Sequence, residues 1–460
     1  MNKKILQLTI PNIITNITVP LLGMVDMAIV GRLSLDHIAA ITIGTSIFNL
    51  IYWNFGFLRM GTSGLAAQAY GGRNLKETVR VLVRAMAIAV VIALLLIVFQ
   101  RPISRLAFIV IPCDNSVFHL AYTYFSIRIW AAPATLGLYA LKGWFIGMQN
   151  SRTPMWVAIF LNVVNIMFSL WFVVGLGWDI AGVAWGTVIA QYSGLAVAGF
   201  IAVRHYGKLF RRYFDLKASL HWREMKLFFN INADIFLRTF CLALVFTFIT
   251  AASSTISKEV LAIDSLLLQF FTLFSYIMDG FAYAGESLVG RYIGARDGGL
   301  LRKTVRYLFR WGWVLAAVFT VLYAGMGEMF LYLFTDDRSI IRLASPYMIW
   351  IVAMPLCGFA AFLWDGIYVG ATASRQMRNA MFVATATFFA IYYGAKLLMT
   401  NGLLPNDITM KNNYLWVAFL AYLLLRGVMQ YFFSPKAIYK QVEHKISSNK
   451  KRNFLSKKKS

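Results

Sequence analysis

Asp26 is the only acid in an otherwise apolar run, Leu-Leu-Gly-Met-Val-Asp26-Met-Ala-Ile-Val. An ionisable group placed near the centre of a bilayer costs roughly 2.5–3.5 kcal/mol even on insertion scales, so it faces a cavity or a partner and marks an ion path. Pro11 and Pro20 precede it. Each proline removes a backbone donor and frees a carbonyl one turn back, so the helix can bend beside the carboxylate. A bend next to a group that gains and loses a proton suits an ion-triggered switch; an Asp held by a structural partner is the plainer alternative. Lys142 is a second charge inside an apolar run. Asn162, Asn165 and Ser169 fall three and four apart and share one helical face, as do Thr187 and Gln191 on the next helix. These groups are expected to form a polar network around Asp26, although hydrogen bonds between helices account for each Asn or Thr taken singly.

The second half carries its own acids. Asp279 and Glu286 are seven apart, two turns, and share a face, with Asp264 earlier in the same run. They read as a cation path or, where Glu286 approaches Arg291, as a clamp. Asp365 lies in a later run, and Asp234 and Arg238 are four apart and expected to pair. Met24 and Met27 flank Asp26, and flexible thioethers suit varied ligands, though lipid-facing filler explains any single methionine as well. No Gly-x-x-x-x-Gly-Lys-Ser/Thr phosphate loop, His-Glu-x-x-His pair or Gly-x-Ser-x-Gly elbow occurs. The chain is therefore expected to be no enzyme and to hold no metal or cofactor, and its energy must come from an ion gradient. Cys113, Cys241 and Cys357 are far apart and set up neither a disulfide framework nor a metal site.

The elements that hold these residues follow from composition. Of the 460 residues, 59% are hydrophobic and 14% charged, too few charges to cover a water-soluble surface of that size. A crossing takes roughly 20 apolar residues, and the chain has room for about twelve. Apolar runs lie near 10–31, 38–69, 81–100, 118–148, 155–175 and 181–203, then 228–252, 260–290, 307–334, 343–370, 378–400 and 413–434. The expected fold is all-α and polytopic. A first lobe of six helices spans 1–205, a cytoplasmic linker 206–226, a second six-helix lobe 227–434 and a basic tail 435–460. The net charge of +25 would suggest nucleic acid in a soluble protein. Here Lys and Arg gather in alternate loops, leaving Arg32, Arg101, Arg105, Lys258, Arg338 and Lys411 on the other side, so both termini should be cytoplasmic. The tail, with Lys450, Lys451, Arg452 and Lys457 to Lys459, suits anionic headgroups or simple solvation. No cleavable leader is expected.

The chain also repeats itself. Thr78-Val-Arg-Val-Leu-Val-Arg84 returns as Thr304-Val-Arg-Tyr-Leu-Phe-Arg310, each after a turn, Gly71-Gly-Arg-Asn74 or Gly294-Ala-Arg-Asp297. Gly143-x-x-x-Gly147-x-x-x-Ser151-Arg152 returns as Gly366-x-x-x-Gly370-x-x-x-Ser374-Arg375, which puts Asp365 at the repeat position of Lys142. Six helices are duplicated in one orientation. Repeats of this kind imply a binding site between two halves that rock against each other. The glycine pairs are best explained as close helix packing.

Several runs resemble the DinF-like branch of the MATE (multidrug and toxic compound extrusion) family. They are Val25-Asp26-Met-Ala-Ile-Val-Gly31, Phe55-Gly-Phe-Leu-Arg-Met-Gly-Thr-Ser-Gly-Leu-Ala-Ala-Gln68, Gly175-Leu-Gly-Trp-Asp-Ile-Ala-Gly-Val-Ala-Trp-Gly-Thr187, Asp279-Gly-Phe-Ala-Tyr-Ala-Gly-Glu286-Ser-Leu-Val-Gly290 and Asp365-Gly-Ile-Tyr-Val-Gly370-Ala-Thr. The resemblance implies antiport in a bacterial inner membrane: an organic cation or amphipathic drug leaves while protons or sodium enter. It implies Asp26 as the coupling acid, Pro11 as the bending residue, and Asn165 and Thr187 as its network. A monomer is expected. The sequence departs from the pattern at Ser169, where relatives often carry an acid, and at Lys142, often uncharged. A lysine beside Asp26 would pair with it, and the expectation is a switchable Lys142–Asp26 pair. The rival within the same superfamily is a flippase for a lipid-linked oligosaccharide, which needs a basic cavity; Lys142 and Arg59 are its cationic candidates. An intramembrane transferase would need paired loop acids, for which only Asp336-Asp337 offers itself.

Overall fold

The computed structural model describes residues 1–442 except 32, 112, 335 and 336. Arg32, Asp336 and the basic tail from 443 onward lie outside the described residues. The rest is helical, with no strand among the described residues. In chain order the helices are α1 (Asn2–Val30), α2 (Leu35–Asn54), α3 (Phe57–Gly71), α4 (Leu75–Val98), α5 (Gln100–Val110), α6 (Asn115–Arg128), α7 (Ala132–Gly147), α8 (Arg152–Leu170) and α9 (Asp179–Tyr213). They continue with α10 (Leu216–Ser219), α11 (Trp222–Ile256), α12 (Lys258–Gly294), α13 (Gly298–Phe334), α14 (Arg338–Ala344), α15 (Met348–Gly370), α16 (Ser374–Thr400) and α17 (Ile408–Ser434). Eleven helical runs among the described residues are long and apolar enough to cross a membrane. The run from α6 to α7, joined by a single 3-10 turn at Ile129–Ala131, stands where the fourth of twelve was expected. That turn and its counterpart at Ser345–Tyr347 each adjoin a proline, Pro133 or Pro346, which cannot give the α-helical backbone bond.

The described chain divides into two compact units. One is Gln7–Asn232; the other is Met1–Leu6 together with the chain from Ala233. The segment 206–226 holds the last two turns of α9, the short α10 and the first turn of α11.

Within each unit the repeat is visible in the backbone. Arg73 and Arg296 both take positive φ, 55° and 59°, and so do Gln149 and Thr372, at 62° and 51°. Both pairs are 223 positions apart. At all four helix ends the next residue donates its N–H to the carbonyl five back: Asn74 to Ala69, Asn150 to Phe145, Asp297 to Tyr292 and Ala373 to Tyr368. This closure satisfies carbonyls that a helix end leaves orphaned. Asn74 and Asp297 then cap the following helices through the N–H groups of Glu77 and Leu300. The threonine-arginine runs are 226 apart, so the second lies almost one turn further along its helix.

The glycine pairs do the packing expected of them. A Cβ on Gly143 would stand 2.3 Å from the Arg59 carbonyl oxygen, and one on Gly147 2.7 Å from that of Ser63. In the other unit a Cβ on Gly366 would stand 2.1 Å from the Ala282 oxygen and one on Gly370 2.4 Å from that of Glu286. These contacts too recur at 223. They bring α3 against α7 and α12 against α15 at backbone distance, where dispersion between helices replaces the hydrophobic drive that lipid does not supply. Outward residues such as Val98, Met167, Val174, Val321 and Phe432 are exposed and apolar, a surface suited to hydrocarbon.

Candidate functional site

In the first unit, side chains tie the carbonyls of α1 around its prolines. Thr15 donates to the Pro11 carbonyl at 2.8 Å and Thr18 to that of Thr15 at 2.8 Å. Asn12 donates to the Leu8 carbonyl at 2.8 Å and to Ser151 at 3.0 Å, and Asn162 reaches from α8 to the Thr18 carbonyl at 2.8 Å. The carbonyls of α1 near Pro11 and Pro20 are thus engaged by polar groups from the same lobe.

Asp26 follows, with 4% of its surface exposed. Its Oδ1 has no hydrogen-bond partner. Met24 and Met27 point the other way and are exposed. On α8 and α9, Asn165 donates to the Thr187 hydroxyl at 3.0 Å, and Thr187 donates to the Val183 carbonyl at 3.1 Å. Ser169 stands beside Asp26. Gly186 makes room for it, since a Cβ there would lie 2.5 Å from Ser169 Oγ. Asn165 Oδ1 is also buried without a partner, while Ser169 Oγ lies toward the Asp26 carboxyl. Asp26 Oδ1 and Asn165 Oδ1 thus each keep an open lone pair in the interior of this lobe, and oxygens of this kind are able to take a proton or a small hard cation. No group of three or more His, Cys, Asp or Glu side chains suited to a transition metal occurs among the described residues.

The positive charge that reaches Asp26 is that of Arg128, and no ion pair joins Lys142 to Asp26 among the described residues. Lys142 is half-buried on α7. Arg128, at the end of α6, donates to the Tyr124 hydroxyl and lies over the rings of Phe48 and Tyr124, 5.0 and 5.3 Å from their centroids. Its charge also reaches Tyr52 and Tyr139. An aromatic box holds the guanidinium by its faces while the carboxylate lies within reach of its field. The count of cationic candidates in this lobe, Lys142 and Arg59, omitted Arg128. The signal was present: Arg128 lies in the same apolar run as Lys142, and the same argument from buried charge applies to both.

In the second unit the acids are mostly spoken for. Arg238 and Arg426 both donate to Asp365 Oδ2, and Gln430 donates to Oδ1 at 2.8 Å. Asp264, 1% exposed, accepts from Asn412 at 3.0 Å and Trp416 at 2.8 Å on Oδ1, and from Ser253 on Oδ2. The expected pairing of Asp234 with Arg238 is replaced by contacts across helices. Asp234 accepts from Ser374 at 2.8 Å and from Arg378 at 2.5 Å, while Arg238, one turn on, meets Asp365. One turn along α11 is enough to change neighbours from α16 to α15 and α17. Asp279 is half-buried, and its charge acts on Arg426 and Tyr276. Glu286 is 1% exposed.

Two repeated units of long apolar helices with buried polar clusters define a polytopic membrane protein. The chain belongs to the MatE family: the family model MatE matches residues 11–171 and again 235–394, once in each half of the repeat. It is similar to DNA damage-inducible protein F of Escherichia coli (strain K12), 36% identical over 93% of this chain and 90% of that one. It is also similar to the probable multidrug resistance protein NorM of Photorhabdus laumondii, 22% identical over 74% of this chain and 76% of the other. Among solved structures, a MATE in the bent conformation superposes with a TM-score of 0.81 at 16% identity, covering 96% of both chains, which bears on the fold alone. The family is one of transporters, so the chain is an efflux-type transporter of the membrane and not an enzyme.

Proposed function

We propose that this chain is a cation-coupled antiporter, driven by proton or sodium entry, that expels organic cations or amphipathic drugs by alternating access. Asp26 carries the reading: a buried carboxylate with an unbonded oxygen, on a helix with two internal prolines and beside Ser169. Binding a proton or a sodium ion there removes a buried charge, and that change can bias the bend of α1 between two states. The printed name of the NorM relative favours drug-like cargo. Asp365 and Asp264, hydrogen-bonded on both oxygens, are assigned to holding the second lobe together; Asp279 and Glu286 remain its cation-path residues. Bacterial relatives and the Lys/Arg asymmetry favour a bacterial inner membrane with both termini in the cytoplasm.

The test is ethidium export by purified protein in proteoliposomes under separate proton and sodium gradients. Export should follow one of them and be lost in Asp26→Asn. Export of wild type and Asp26→Asn at equal rates would sink the assignment. Arg128 supports a second reading, transport of a lipid-linked anionic cargo, because it adds a half-buried cation beside the site. Flipping of a labelled undecaprenyl lipid, abolished by Arg128→Met while ethidium stays where it is in both proteins, would favour that reading.

A further inference from the structure

The geometry points to a binding site for an anionic phospholipid in the groove between α5 and α6, away from Asp26 and its network. Helix α5 has 11 residues, about 16 Å of rise, too short to cross a hydrocarbon core of about 30 Å. Its two sides differ. Leu106 and Val110 are exposed, Val110 to 69%, while Ile109, also exposed, lines the same groove as the arginines. Arg101 and Arg105, one turn apart, share the face that lines a cavity of about 720 Å³ with Phe108, Phe118 and Tyr122.

Three features of the groove select its ligand. No lining residue is acidic. Neither arginine belongs to an ion pair among the described residues. Ser104, between them, also lines the groove, is buried and donates to the Arg101 carbonyl at 2.8 Å, while both arginines are exposed. The floor is aromatic: Phe108 packs edge-on against Phe118 at 4.9 Å, and Phe118 stacks on Tyr122 at 6.0 Å. Two guanidiniums over an apolar floor, bordered by exposed aliphatic side chains, match a phosphodiester whose acyl chains continue into the bilayer. The fork of an arginine fits phosphate oxygens in pairs. A free anion would use the arginines and leave the apolar border unused. A bilayer surface without a defined site would attract the arginines as it attracts any basic residue near it.

The experiment uses the full chain purified in zwitterionic detergent. Binding of phosphatidylglycerol, phosphatidylcholine and inorganic phosphate is followed by native mass spectrometry and by thermal protection. Wild type is compared with the Arg101→Gln/Arg105→Gln pair, with Arg105→Gln alone, and with Arg338→Gln as a basic residue elsewhere. Phosphatidylglycerol should bind wild type and Arg338→Gln alike and should bind the double variant at least tenfold more weakly. Arg105→Gln should show an intermediate loss and carries the test if the double variant does not fold. Equal affinity for phosphatidylcholine, equal protection by phosphate alone, or unchanged binding in the variants would each overturn the proposal. Ethidium export is not the readout, so failure here leaves the antiporter reading untouched.

Discussion

Replacing Asp365 and replacing Asp26 by asparagine should have opposite signatures. Asp365 holds two guanidiniums and one amide. Its loss leaves Arg238 and Arg426 buried without their shared carboxylate. Breaking a buried ion pair from one side costs about 3–5 kcal/mol. The field of Asp279 still reaches Arg426 and moderates the loss, so the lower half of that range is expected. For a unit of this size a kcal/mol moves the midpoint by about 2–4 °C, so the drop should be on the order of 10 °C. Asp26→Asn removes no hydrogen bond from Oδ1, which makes none, and relieves a buried charge. Its melting midpoint should stay within about 1 kcal/mol of wild type, while export is lost. Both variants are purified, melted in detergent with a tryptophan-fluorescence readout, and assayed in proteoliposomes. Adding Arg426→Met to Asp365→Asn should recover part of the lost stability, because one orphaned charge is removed. An Asp365→Asn protein that melts with wild type, or an Asp26→Asn protein that falls as far as Asp365→Asn, would refute this division of labour.

Gly366→Ala should destabilise by about 1–3 kcal/mol or more, because its Cβ would meet the Ala282 backbone oxygen at 2.1 Å. Gly394→Ala, where nothing lies within 4 Å, should be neutral or stabilising by up to about 1 kcal/mol, and paired melts compare them. Asn165→Ala removes the bond to Thr187, worth about 0.5–1.5 kcal/mol, and should raise the half-saturating coupling-ion concentration roughly two- to tenfold. Titrating export against proton or sodium concentration reads that shift. Trp416→Phe deletes one of three donors to Asp264 and should lower the melting midpoint by a few degrees without changing which gradient drives export.

The fold was legible because its causes are local or periodic. Apolar runs set the helices, and the turn after Gly71 and Gly294 carries the same residue types at both ends of the repeat. The pairing of charges was not legible. Spacing of three or four shows which side chains share a helix face, but not which group on another helix they meet, as Asn165 meets Thr187. It joined Asp234 to Arg238, because it sees one helix at a time. The partners actually chosen, Ser374 and Arg378 for one and Asp365 for the other, come from helices more than a hundred positions away. The donors to Asp264 are a similar case: two of them, Asn412 and Trp416, come from α17. Arg128 was missed for a different reason. Its aromatic box is assembled partly from α2, so its own helix shows an arginine near aromatic residues but not the ring of Phe48 above it.

Lys142 and Asp365 sit 223 positions apart, in register with the glycines and the left-handed residues of the two units. A duplication starts with the same residue at both places. The steric frame is the same in both halves, while this position carries opposite charges. The two halves are one chassis with different wiring, and each supplies an internal reference for the other. A substitution that harms both halves alike reports on the chassis; one that harms a single half reports on the wiring. Exchanging the two charges, by Lys142→Asp together with Asp365→Lys, asks whether the halves can trade roles within a single polypeptide.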